Sequence, residues 1–244
     1  MKKRTLIIGD IHGGLRALTQ VLERANLSPD DQLIFLGDYV DGWSESAQVI
    51  AFLIQLQQKY TCIFIKGNHD AWCELWLEQA ATNEVWLRNG GAESIASYER
   101  ISVEERAVHL AFFNNMKYYF IDEQNRLFVH AGFTSMHGVK RETDAQTFYW
   151  DRTLWETALA LDKSLSSDSP YYPKRLKVYQ EIFIGHTPST NYGIEEPMIF
   201  ANVCNVDTGA AFKGKITVMD IDTKAFWQSD PLPMHYPDEK GRNK

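Results

Sequence analysis

The 244-residue chain has little cysteine, no long apolar run and no excess of positive charge. Cys62, Cys73 and Cys204 are its only thiols, odd in number and without Cys-x-x-Cys spacing. That excludes a disulfide framework and predicts buried, reduced thiols in a cytoplasmic protein. The basic opening Met1-Lys2-Lys3-Arg4 leads into an apolar run that stops at Gly9-Asp10, too short for a signal peptide's hydrophobic region or a spanning helix. No other stretch approaches transmembrane length, so no membrane partner is expected. With 25 Lys and Arg against 32 Asp and Glu, the net charge of −7 argues against binding nucleic acid by bulk electrostatics. A site holding divalent cations would still be locally positive whatever the sum. Strong compositional bias is missing too: 44% apolar and 23% charged residues describe an ordinary globular chain with a sizeable core.

What is present is a repeated pattern. Three apolar strands, "TLIIGD", "QLIFLGD" and "TCIFIKGN", each end in a Gly-Asp or Gly-Asn tip and are followed by a helical stretch. In the first of these helices Leu15, Leu18, Val21 and Leu22 share one face. Strands alternating with helices predict a parallel sheet with right-handed crossovers, and sites collect at the carboxyl ends of such strands. Residues 83–100 and 102–116 read as two helices, the second opened by the capping-box pair Ser102 and Glu105. Residues 117–132 read as a hairpin turning at 122–125, and 162–175 as an exposed polar loop. Three more strands follow, in "VYQEIFIGHTP", "MIFANVCNVDTGAAF" and "KGKITVMDID". The polar tail from Pro231 is expected to be peripheral. With no linker visible, residues 1–244 are expected to form one domain.

Five strand-end motifs carry candidate chemistry: "GDIHG" (9–13), "GDYVDG" (37–42), "GNHD" (67–70), "HAG" (130–132) and "GHT" (185–187). Alone, each is a turn or a helix cap. Together they place Asp10, His12, Asp38, Asn68, His130 and His186 on one sheet edge, beside glycines that allow close backbone approach. Carboxylate, imidazole and amide donors without thiolate suit manganese, iron or zinc. In an extended chain residues i and i+2 face the same way, so Asp10 and His12 are expected to grip one ion together. Asp38, with two carboxylate oxygens on the neighbouring tip, is the expected bridge between two.

These motifs in this order resemble the calcineurin-like metallophosphoesterases, and within them the phosphoprotein phosphatases of bacterial serine/threonine type. The match spans residues 9–187, and "WLRNGGAESIASY" (86–98) and "FWQSD" (226–230) are similar to bacterial members. The resemblance implies a β-sandwich of mixed sheets flanked by helices. It implies Asp10, His12 and Asp38 on one metal, Asp38, Asn68, His130 and His186 on a second, His69 as general acid and Asp41 as the carboxylate that orients it. Asn68 would also face substrate. Two such cations, manganese being the first expectation, would lower the pKa of a bridging water and aim it in line at phosphorus. The imidazolium of His69 would give its proton to the leaving alkoxide. The tetrapeptide Gly185-His186-Thr187-Pro188 lacks the second histidine of G-H-x-H, which favours the phosphatase branch over the nucleases. The implied substrate is phosphoserine or phosphothreonine in a protein. A symmetrical dinucleoside tetraphosphate hydrolase is the alternative, favoured by Asp70 after the Asn-His pair, and a non-catalytic phosphate-binding module is the third.

The chain departs from the family where an arginine should follow Asp41. Gly42 stands there, and glycine offers no bidentate fork for a phosphate. Arg152 resembles the family's second phosphate-binding arginine, and Lys66 and Arg88 are further candidate cations. Asp70 reads as a helix cap, Trp72 and Trp76 as one core-facing pair, and His109 as a structural helix residue. His137 is a candidate cleft residue.

Overall fold

In the computed structural model, which describes residues 3–243, the opening repeats are β1 (Thr5–Ile8), α1 (Leu15–Ala25), β2 (Gln32–Phe35), α2 (Ser46–Leu56), β3 (Thr61–Phe64) and α3 (Asn68–Gln79). β1, β2 and β3 are parallel, with Thr5 opposite Gln32 and Gln32 opposite Thr61. α1 buries Leu18, Val21 and Leu22 as its spacing predicts, and ends at a left-handed Asn26. The segment 83–100 is not one helix. It runs as α4 (Glu84–Trp86), a distorted turn over 87–91, and α5 (Ala92–Tyr98). The break is at Gly90, whose φ of +103° admits no ordinary side chain and whose Cβ would lie 2.4 Å from the Gly42 nitrogen. The turn therefore presses directly onto the second strand tip. α6 (Val103–Asn114) opens with the expected reciprocal pair: Glu105 N–H donates to Ser102 Oγ and Ser102 N–H to Glu105 Oε2.

β4 (Tyr119–Ile121) and β5 (Leu127–Val129) make the predicted hairpin, followed by α7 (Thr147–Trp150) and α8 (Thr153–Ala160). β6 (Ile182–Ile184) precedes β7 (Met198–Phe200) and β8 (Val203–Asn205), and β9 (Thr217–Asp220), β10 (Phe226–Gln228) and α9 (Leu232–His235) complete the described chain. The stretch 198–212, expected to supply one strand, reverses at Ala201 (φ +51°) into the β7–β8 hairpin. Two five-stranded sheets result, ordered β10-β9-β1-β2-β3 and β4-β5-β6-β8-β7. The parallel sheet expected over the first repeats is thus the core of a mixed one, because β9 adds antiparallel to β1 and β10 antiparallel to β9.

The strands read as unbroken apolar runs because both faces are covered. Leu6 and Ile8, Leu33 and Phe35 face α1 and α2, while Leu127 and Val129, Ile182 and Ile184 face the opposite layer over α8. The intervening Ile7, Ile34, Phe128 and Phe183 meet between the sheets, giving a single-domain β-sandwich flanked by helices. The 162–175 stretch is largely exposed. Cys73 and Cys204 are buried, Cys62 is only half-buried, and all three are free. No helix among the described residues is long and apolar enough to cross a membrane.

The tail is not peripheral. Leu232 and Tyr236 are buried, and Tyr236 stacks on Trp43 with ring centroids 5.2 Å apart. Ser44 donates through its N–H and hydroxyl to the Glu239 carboxylate, at 3.0 and 2.7 Å. The apolar residues that anchor it are spaced too irregularly to register as a helix face.

Candidate functional site

The parallel strands of both sheets direct their carboxyl ends to one edge. Asp10, Asp38 and Asn68 follow β1, β2 and β3, and His130 and His186 follow β5 and β6. A sixth tip, Asp207 after β8, joins them. Its local pattern, Val-Asp-Thr-Gly over 206–209, parallels the Val-His-Ala-Gly of 129–132, but it lies inside a stretch that reads as one strand. All six are buried. Asp38 is central: its Oδ2 lies 3.7 Å from His12 Nε2 and 3.4 Å from His130 Nε2, and its Oδ1 accepts from the His69 N–H at 3.0 Å. Asp10 Oδ2 lies 3.7 Å from His12 Nε2, and both Asp10 oxygens receive the His186 N–H. Asp10 and His12 do converge, but not through extended chain. His12 is left-handed at φ +53°, as are Asp38 (+54°), Asp41 (+72°) and His186 (+67°). Such torsions are uncommon outside glycine and cluster at functional sites.

Several groups fix the ring tautomers. His130 Nδ1 bonds the Leu36 carbonyl at 2.8 Å and His12 Nδ1 the Asp41 carbonyl at 2.9 Å, leaving both Nε2 atoms facing the carboxylates. His69 Nδ1 meets Asp41 Oδ2 at 2.7 Å. The same Asp41 carboxylate accepts from Trp86 Nε1 at 2.7 Å and from the Ser94 hydroxyl at 2.6 Å. Trp86 and Ser94 lie within "WLRNGGAESIASY", but their contact with Asp41 exists only once the Gly90 break folds that segment over the tip. Asp70 does more than cap. It is the third residue of α3, and its carboxylate receives the N–H groups of Gly67, Asp38 and Tyr39 at 2.7–2.9 Å, clamping the third tip to the second.

The donor set fits divalent cations on three observations. His12, Asp38 and His69, and separately Asp38, His130 and His186, bring ligand atoms within 4.8 Å of one another. His186 Nε2 is buried with no hydrogen-bond partner. The cluster also draws positive charge. Burial and the neighbouring carboxylates Asp38 and Asp10 push Asp70 and Asp207 up to about 8. Burial alone would push the His130 imidazole down, yet Asp38 and Asp10 raise it to about 10. A carboxylate-rich, buried pocket of this kind is stabilised by cations.

The tips open into a cleft of about 270 Å³ whose walls include Trp72, Trp150, Arg152 and Arg242. Arg152, exposed, donates from Nη1 to Thr187 Oγ1 at 3.2 Å. The Trp72–Trp76 pair is not all core: Trp76 packs on Trp86 and Tyr98, whereas Trp72 stands edge-on to His69 and Trp150 in the cleft. Lys66 is paired with Glu74, Arg88 with Glu84 on the surface, and exposed His137 is not a wall residue. His109 is buried against the Tyr98 hydroxyl at 3.2 Å, as a structural residue should be.

Over 241 residues the chain is 26% identical to the bis(5'-nucleosyl)-tetraphosphatase PrpE [asymmetrical] of Oceanobacillus iheyensis, covering 90% of this chain and 89% of that one. A serine/threonine phosphatase structure from Saccharomyces cerevisiae, with similarity to human PP5, aligns with a TM-score of 0.64 at 14% identity, covering 99% of this chain and 84% of that one. A candidate diadenosine tetraphosphatase gives the same TM-score at 16% identity, covering 95% and 94%. These structures share the fold. The chain itself matches the calcineurin-like phosphoesterase family over residues 3–209, and it belongs to that family of phosphoric ester hydrolases.

Proposed function

We propose that the cleft hydrolyses a dinucleoside tetraphosphate, with the asymmetrical cut that the PrpE relatives' names carry, in place of the protein phosphatase expected first from sequence and of the symmetrical cut that was its alternative. The observation that carries this reading is a continuous surface. The cleft shares Asn191 and Phe212 with a second hollow of about 380 Å³ walled by Lys213 and Lys215. A polyphosphate fits along such a path, with Lys213 on its far wall beside Lys215, which is paired with Glu195 at 2.9 Å. On the near rim, the exposed Trp150 and half-buried Trp72 offer indole faces to a base.

Asp10, His12 and Asp38 would hold one divalent cation and Asp38, Asn68, His130 and His186 a second, with manganese first and iron or zinc compatible. Bound there, the pair would neutralise phosphoryl charge and supply an acidic water as nucleophile. His69 gives its Nε2 proton to the leaving oxygen, and Asp41 accepts from Nδ1–H and stabilises the imidazolium. The Trp86 and Ser94 donors keep the Asp41 carboxylate from rotating away. Asn68 and Arg152 face the phosphate. A cytoplasmic setting goes with the three free cysteines.

The second reading, a phosphoserine or phosphothreonine in a protein, is favoured by the sequence motifs and by a rim open enough to leave Trp150 39% exposed. One experiment separates the two. Manganese-loaded protein is incubated with diadenosine tetraphosphate and, separately, a phosphoserine peptide, beside His69→Asn. ATP plus AMP, reduced about 10²-fold or more in the variant, is the expected result. ADP alone would mean the symmetrical cut. Phosphate released from the peptide with an intact dinucleotide would establish the second reading.

A further inference from the structure

We infer that Arg242, from the C-terminal segment, is the phosphate-binding cation that the loop after Asp41 does not carry; the inference rests on the phosphoester-hydrolase reading of the cleft. Gly42 has a φ of +119°, which an arginine would adopt only under strain, and the space above it is taken: a Cβ built there would lie 3.4 Å from Arg242 Cγ. The stem of Arg242 thus passes over the position where the sequence pattern lacks a fork. Its guanidinium enters the same cleft as His12, Asp38, Asn68 and His69.

The head group is placed but not consumed. One terminal nitrogen donates to Asn89 Oδ1 at 2.9 Å, the plane lies 5.2 Å over the Phe212 ring, and Nε is buried with no partner. No carboxylate lies within ion-pairing distance of it among the described residues. Asp10, Asp38, Asp41 and Asp207 all act on it from across the cleft. A half-buried guanidinium whose Nε has no partner, facing a cation-binding carboxylate cluster, suits a tetrahedral oxyanion lodged between the two.

The support for the segment comes from the loop it completes. Trp43, next to Gly42, stacks on Tyr236 and lies against Gly241, where a Cβ would be 2.7 Å from its ring. Ser44 holds Glu239 by two hydrogen bonds. Arg242 N–H donates to the Ala211 carbonyl at 2.9 Å, and Trp43 Nε1 donates to the adjacent Ala210 carbonyl at 2.7 Å. Gly42, Trp43 and Ser44 therefore act as a dock: the first leaves room for the arginine and the next two hold the segment that delivers it.

The test is calorimetric titration of inorganic phosphate into the manganese-loaded protein, for wild type, Arg242→Met, Arg242→Lys, and Arg242→Ala with and without methylguanidinium. Arg242→Met is expected to weaken phosphate binding about tenfold or more. Arg242→Lys should recover part of it, since lysine keeps the charge but not the fork. Methylguanidinium should restore binding to Arg242→Ala, which a merely undocked segment would not allow. Affinity within twofold of wild type in Arg242→Met overturns the inference, as does a loss that neither lysine nor methylguanidinium repairs, or a wild type that binds no phosphate. Hydrolysis of diadenosine tetraphosphate and the phosphopeptide is scored in the same preparations. A wild type that hydrolyses neither, yet binds phosphate through Arg242, would sink the hydrolase reading and support this one.

Discussion

At the tips of β2 and β3 the carboxylates are tied to the protein. Asp70 takes three backbone N–H groups, and Asp41 takes an indole, a hydroxyl and the His69 ring. At the tips of β5 and β6 the side chains are imidazoles held by far less. His130 meets one carbonyl through Nδ1 and Asn68 Oδ1 and Asp38 through Nε2, and His186 Nε2 has no partner. The first sheet builds its half of the cleft internally, because a buried carboxyl needs several donors. The second presents imidazoles in opposite states, His130 raised by Asp38 and His186 pushed down by burial, and aims both at the cleft.

The largest effect should come from the residue both halves share. Asp38→Asn is expected to lower hydrolysis about 10³-fold or more, with the fold intact by circular dichroism; a variant retaining a tenth of the activity would contradict a shared ligand. Next, the halves should differ in stability. Asp70→Ala strands three buried N–H groups and should cost about 3 kcal/mol or more in urea unfolding of chelator-treated protein. His186→Gln, measured alike, should change stability by less than about 1 kcal/mol, while weakening manganese binding in equilibrium dialysis. Equal costs would erase the contrast. A smaller loss, about tenfold in kcat with KM and metal content unchanged, is expected for Trp86→Phe, which removes one of the donors on Asp41.

The smallest effect lies outside both halves. Burial pushes the His109 imidazole down to about 4, against the opposing pull of Glu105. Its pKa rises on unfolding, so its contribution is fully present above about pH 6.5 and is lost as pH falls from there towards about 4. His109→Gln should lack that slope, a difference on the order of 1 kcal/mol in unfolding free energy between pH 7 and pH 4.5. Parallel pH profiles for the two proteins would place the proton elsewhere.

Legibility in the sequence followed range. Asp10, Asp38, Asn68, His130 and His186 each close an apolar strand, so local pattern finds them. The two-sheet layering follows from runs such as Leu6-Ile7-Ile8, whose neighbours face opposite layers. Asp207 was missed because the stretch around it reads as one continuous strand, and the left-handed torsion of His12 because its side chain reaches the same place by another route. Trp86, Ser94, Trp72 and Arg242 depend on long-range closure. Arg242 meets Gly42 from 200 residues further along the chain, and no periodicity records such a meeting.

The left-handed backbone at His12, Asp38, Asp41 and His186 also narrows how this centre can evolve. Histidine, aspartate and asparagine tolerate that region several-fold better than most residues, so the side chains with the right chemistry are also those the torsions permit. Swapping in glutamate or cysteine to suit a softer or larger ion would add a conformational penalty of about 1–3 kcal/mol at each position. Descendants of this chain can therefore vary their rims and loops freely, while the choice of donor atoms stays locked by the main chain beneath them.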